Sequence, residues 1–102
     1  MHLIQLLLPV YDNAGRKLDR GLFDEVREAL VAQFGGATAF ARAPALGDWA
    51  DGDGDVQRDD VVLVEVMAKT LDRAWWARYR ETLEHRFQQE TVLIRATRVE
   101  VL

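Results

Sequence analysis

VVLVEVM, residues 61–67, is the strongest strand signal in the chain, apolar and mostly β-branched at nearly every position with Glu65 as its only polar member. A second run, LIQLLLPVY at residues 3–11, has apolar residues on both faces and ends in Pro9 and the turn-rich DNAG of residues 12–15. Strands apolar on both faces belong in the middle of a sheet, so the remaining segments must supply edge strands and helices to cover them.

After the first strand a helix is expected, with Asp19 as N-cap. Leu22, Phe23, Val26, Leu30 and Phe34 recur at spacings of three and four, while Glu25, Arg27 and Glu28 point outward. Gly35 and Gly36 end it; glycines after a helix form a left-handed C-terminal cap, whereas phosphate-cradling glycines open a helix. Residues 37–43 alternate small and larger residues as a strand does, and a hairpin with arms reaching Trp49 and Val56 and a turn at DGDG, residues 51–54, shortens the long connection to residue 61. A second helix is capped by Thr70 or Asp72 and buries Trp76, Tyr79, Leu83 and Phe87. Trp75, about 100° round the helix from Trp76, is expected half exposed, suited to packing under the preceding loop or to a partner surface. Glu81 and His85 lie on the solvated side. Residues 91–102 alternate, but the phase changes between Val92, Ile94, Ala96 and Val99, Val101, which predicts a bulge or bend near Thr97.

The order βαββαβ within 102 residues predicts an α+β, ferredoxin-like domain spanning residues 1–102. Its antiparallel four-stranded sheet runs in the order 4-1-3-2, with both helices on one face. If Ile4, Leu6, Leu8, Val62, Val64, Val66, Val92 and Ile94 face the helices, the other face holds Leu3, Gln5, Leu7, Val61, Leu63, Glu65, Met67, Leu93 and Arg95. That face is too apolar for water, and a homodimer packed sheet to sheet is its simplest cover.

Composition excludes much chemistry. Cysteine is absent and serine does not occur, which removes disulfides, thiolate metal sites and Ser or Cys nucleophiles. A net charge of −4 disfavours nucleic acid, and the −5 carried by Asp48, Asp51, Asp53, Asp55, Asp59, Asp60 and Arg58 within residues 44–60 leaves +1 for everything else. Residues 51–55 open like a calcium loop, but Val56 and Val62 stand where that loop needs Gly and Glu, so an acidic hairpin tip is the better account. His2 and His85 have no metal-binding spacing, and no metal or cofactor is expected. The apolar run of residues 6–10 is too short for a leader or a membrane span, which points to the cytoplasm.

The candidate site is the polar part of the second sheet face. Gln5, Glu65 and Arg95 come from three neighbouring strands, Arg42 could approach from the fourth, and Trp49 could form a rim. A carboxylate in an apolar face needs a partner, so Glu65 is expected to pair with Arg95 or Arg42. Two functions fit: a polar network that sets dimer register, or a pocket for a small organic ligand in which Glu65 serves as a base.

FGGAT at residues 34–38, LGDW at 46–49 and FQQETVLI at 87–94 resemble an uncharacterised family of small bacterial ferredoxin-like proteins, along the whole chain. The architecture also resembles the dimeric α+β barrel group, in which two sheets pack face to face and some members carry out cofactor-independent chemistry on small organic molecules. That resemblance implies a homodimer and a small-molecule ligand; the RNA-binding modules of the same fold need aromatics on the central strands, where this chain has Leu3, Gln5, Leu63 and Glu65.

Overall fold

A computed structural model describes residues 1–36 and 61–102, together with the backbone of residues 38–41. The order is β1 (His2–Pro9), α1 (Arg20–Phe34), β2 (Thr38–Ala41), β3 (Val61–Ala68), α2 (Arg73–Arg86) and β4 (Leu93–Arg98). The described residues are therefore α+β, with two helices and an antiparallel sheet in which β1 lies between β3 and β4. On the outer side of β3 the backbone of β2 runs antiparallel, with Thr38 opposite Glu65 and Ala41 opposite Val62.

Period-two alternation sorts the strand residues as their chemistry requires. Ile4, Leu6 and Leu8 of β1 and Val62, Val64 and Val66 of β3 are buried, each at most 2% exposed. They meet Phe23, Val26 and Leu30 of α1, and Trp76 and Leu83 of α2 with Phe87 just after it, in one core. Both helices therefore cover the same side of the sheet. Phe23 and Phe87 meet edge to face with centroids 5.1 Å apart, tying the two helices together.

Local signals explain the helix ends. Asp19 accepts a hydrogen bond from Gly21 N at 3.3 Å, and Asp72, rather than Thr70, caps α2 by accepting from Trp75 N at 3.1 Å. Gly35 closes α1 at φ 81°, a left-handed conformation that glycine adopts without a Cβ penalty, and its N–H donates to Val31 O at 2.8 Å.

One expectation is corrected, and the surroundings of a second are filled in. The ladder between β1 and β4 runs without interruption from Leu7 opposite Leu93 to His2 opposite Arg98, so no bulge occurs at Thr97. The phase change falls where the strand stops: Val99 N still donates to Met1 O at 2.9 Å, while Val101 and Leu102 lie beyond β4 and are exposed. Trp75 is half-buried, yet its cover is aromatic. It stacks on Tyr79 at 5.0 Å and meets Phe34 edge-on at 5.2 Å, so the end of α1 contributes to its cover.

In that cluster the Tyr79 hydroxyl is buried with no hydrogen-bond partner among the described residues, and burial raises its pKa above the ordinary 10.0, opposed by the positive charge of Arg86. The folded state thus holds the phenolic proton more tightly than the unfolded chain does. Stability has its full value below pH 10.0 and falls as pH climbs through the raised folded value. Tyr79→Phe removes the unpartnered hydroxyl while keeping the ring contacts; it should stabilise the fold by about 1 kcal/mol and lessen the alkaline loss. Urea midpoints at neutral and alkaline pH check both, and a destabilised variant would reveal a bond to that hydroxyl.

Candidate functional site

The open face of the sheet is built in rungs. Because directly paired residues on antiparallel strands project to the same side, the register places Glu65, Gln5 and Arg95 side by side across β3, β1 and β4. One step along the strands in one direction, the next rung on this face is Leu63, Leu7 and Leu93; in the other it is Met67, Leu3 and Thr97. Each lies about 7 Å from the polar rung, since two residues of strand separate them. A single polar line thus crosses a largely apolar surface.

Hydrogen bonds join the rung. Gln5 Nε2 donates to Glu65 Oε2 at 2.6 Å, and Arg95 Nε donates to Gln5 Oε1 at 2.7 Å. These two bonds determine the orientation of the amide, since only its nitrogen can donate to a carboxylate and only its oxygen can accept from a guanidinium. The expected direct Glu65 to Arg95 pairing is thereby corrected. β1 lies between their strands, so Gln5 stands in the gap and relays between the two charges. Both of its bonds involve an ionised partner, which strengthens them.

Unused capacity remains on this line. Among the described residues, the terminal nitrogens of Arg95 and the second oxygen of Glu65 take no hydrogen-bond partner. Gln5 and Glu65 are half-buried and Arg95 is exposed. On the neighbouring rungs Leu3, Leu7 and Leu63 are half-buried, while Met67 is 42% and Leu93 50% exposed. The arrangement can hold a molecule that presents an acceptor to Arg95 and a donor to Glu65, between aliphatic walls.

Arg42 and Trp49, the two other sequence candidates, lie outside the described residues. On β2 the position opposite Glu65 belongs to Thr38, a residue not singled out in the sequence. No signal there identifies it, because the offset between β2 and β3 depends on how the intervening chain turns. Two further residues also escaped the sequence reading. Gln89 Nε2 donates to Tyr11 O at 2.7 Å and to Phe87 O at 3.1 Å, fastening the β1 to α1 loop to the end of α2. Glu84 Oε2 accepts from Val92 N at 3.0 Å and fixes the approach to β4. Both position the frame and lie away from the open face.

Among the described residues no group of three or more His, Asp or Glu side chains is arranged to hold a metal ion, and no helix is long and apolar enough to cross a membrane. No family model, curated protein or solved structure matches the chain.

Proposed function

We propose that the chain is a small cytoplasmic domain with the full four-stranded ferredoxin-like sheet, working as a homodimer that closes its open faces around a small polar organic ligand. The observation that carries the reading is the hydrogen-bonded line of Glu65, Gln5 and Arg95 set between aliphatic rungs. An apolar face of this kind gains several kcal/mol when covered, at about 25 cal/mol per Å². Four strands up to eight residues long present roughly 500 Å² per copy, so two copies reach about 1,000 Å² in total, the lower end for a specific interface. Charge-assisted donors and acceptors held in that apolar surround would orient a ligand carrying both an acceptor and a donor. The chemistry available is binding and proton transfer at the Glu65 carboxylate, without a metal or cofactor.

A second reading is favoured by one detail. Gln5 is satisfied at both ends, as a register device within an interaction module would be, with no ligand at all. Glu65→Gln separates the two. In a thermal-shift panel of small organic acids, amides and amino acids, the ligand reading expects a saturable shift for the wild type that falls at least about tenfold in affinity in the variant, equivalent to about 1.4 kcal/mol, with the dimer intact. The register reading expects no ligand and a loss of about 3 kcal/mol or more in dimer stability, as follows when one partner of a buried charge pair is removed. A variant with unchanged stability, in a panel where nothing binds either protein, would defeat both.

A further inference from the structure

A cleft lies on the other side of the sheet, where α2 overhangs the edge strand β4. It encloses about 190 Å³ and is walled by Ile4, Trp76 and Ile94. Its space exists because two short side chains face it: Ala77 of α2 and Ala96 of β4 both line it, and neither is buried by a neighbour. Among the described residues β4 is an edge strand, with no further strand beyond it to extend the sheet under the helix.

Arginines border this apolar space. Arg73 and Arg80, two turns apart on α2, line it, and Arg95 of β4 touches it although its guanidinium Nε is engaged with Gln5 on the open face. Among the described residues no carboxylate forms an ion pair with Arg73, and Arg80 reaches Glu84 Oε2 only at 3.8 Å, an oxygen already accepting from Val92 N. Guanidinium groups with unused paired donors match the two oxygens of a carboxylate. The chain as a whole carries −4, so this concentration of positive charge runs against its average.

We propose that the α2 and β4 cleft binds a small aromatic carboxylate, its ring against Trp76 and Ile94 and its carboxylate toward Arg73 and Arg80. The size agrees: an apolar cavity of about 150 Å³ accommodates benzene, so this volume takes one ring and a carboxylate arm. The inference is independent of the open face, except that Arg95 borders both.

Phenylacetate is the probe, followed by calorimetry and by the NMR signal of the Trp76 indole N–H, which has no hydrogen-bond partner among the described residues. A ligand of roughly ten non-hydrogen atoms should bind with a Kd of about 0.1–1 mM. Phenylacetamide, which keeps the shape and loses the charge, should bind at least about tenfold more weakly, and inorganic sulfate should not move the Trp76 signal. Ala77→Leu fills the cleft from a solvent-facing helix position with a good helix former, so the fold should persist while affinity falls at least about tenfold. The Arg73→Gln/Arg80→Gln pair should bring phenylacetate down to the affinity of the amide. No saturation, equal binding of the amide, or undiminished binding by Ala77→Leu would each overturn the proposal. Glu65→Gln should bind phenylacetate as the wild type does; loss there would assign the probe to the open face instead.

Discussion

Phe87→Ala should cost about 3–5 kcal/mol, the largest effect expected of any single replacement here. The ring is completely buried and meets Phe23 of α1 edge-on, at the point where α2 ends and the chain turns toward β4. Truncation leaves a void between two helices that pack on the same face of the sheet, so the walls close on it only in part. Domains of this size have about 5–15 kcal/mol of total stability, and the variant should be partly unfolded at ambient temperature. Urea denaturation followed by far-UV circular dichroism measures the loss. Leu93→Ala serves as the contrast, because Leu93 is 50% exposed and its replacement should change monomer stability by less than about 0.5 kcal/mol. A loss below about 1 kcal/mol for Phe87→Ala would mean that this core repacks freely.

Leu7→Glu should convert the proposed dimer to monomer with little change in the fold of each copy. Leu7 occupies the centre of the apolar rung, between Leu63 and Leu93, and its side chain points away from the core that Leu6 and Leu8 enter. In a monomer the new carboxylate stays in water. In a sheet-to-sheet dimer it is buried without a partner and weakens association by at least about a hundredfold, or roughly 3 kcal/mol. Sedimentation equilibrium at micromolar concentration reads the mass of both proteins, and a monomeric wild type would remove the dimer from the proposal altogether.

The parts of this structure legible in the sequence are those decided by near neighbours. Which face of β1 carries Ile4, Leu6 and Leu8 follows from alternation alone, and the helix-facing set named from the sequence is the buried set, with Ile94 half-buried at the edge. Asp19 and Gly35 were readable as caps because a cap is a contact between residues two to four apart. The membership of Gln5, Glu65 and Arg95 in one cluster was also legible, since Gln5 and Glu65 are the polar residues of otherwise apolar strand faces and Arg95 is the charged one on its own.

How those three residues connect was not legible, and the reason is geometric. A direct bond between Glu65 and Arg95 and a relay through Gln5 require the same residue types, and only the lateral order of β3, β1 and β4 together with their register selects the relay. Trp75 found its cover in Phe34 and Tyr79 because α1 ends beside α2, a fact of helix packing that no spacing within α2 contains. The cleft likewise exists only because α2 and β4 meet with the short side chains of Ala77 and Ala96, 19 positions apart in the chain, between them. Local periodicity and capping thus wrote the elements and their buried faces into the chain. Register, strand order and the overhang of α2 arise from pairings between distant segments, and these placed the charges and the cavity.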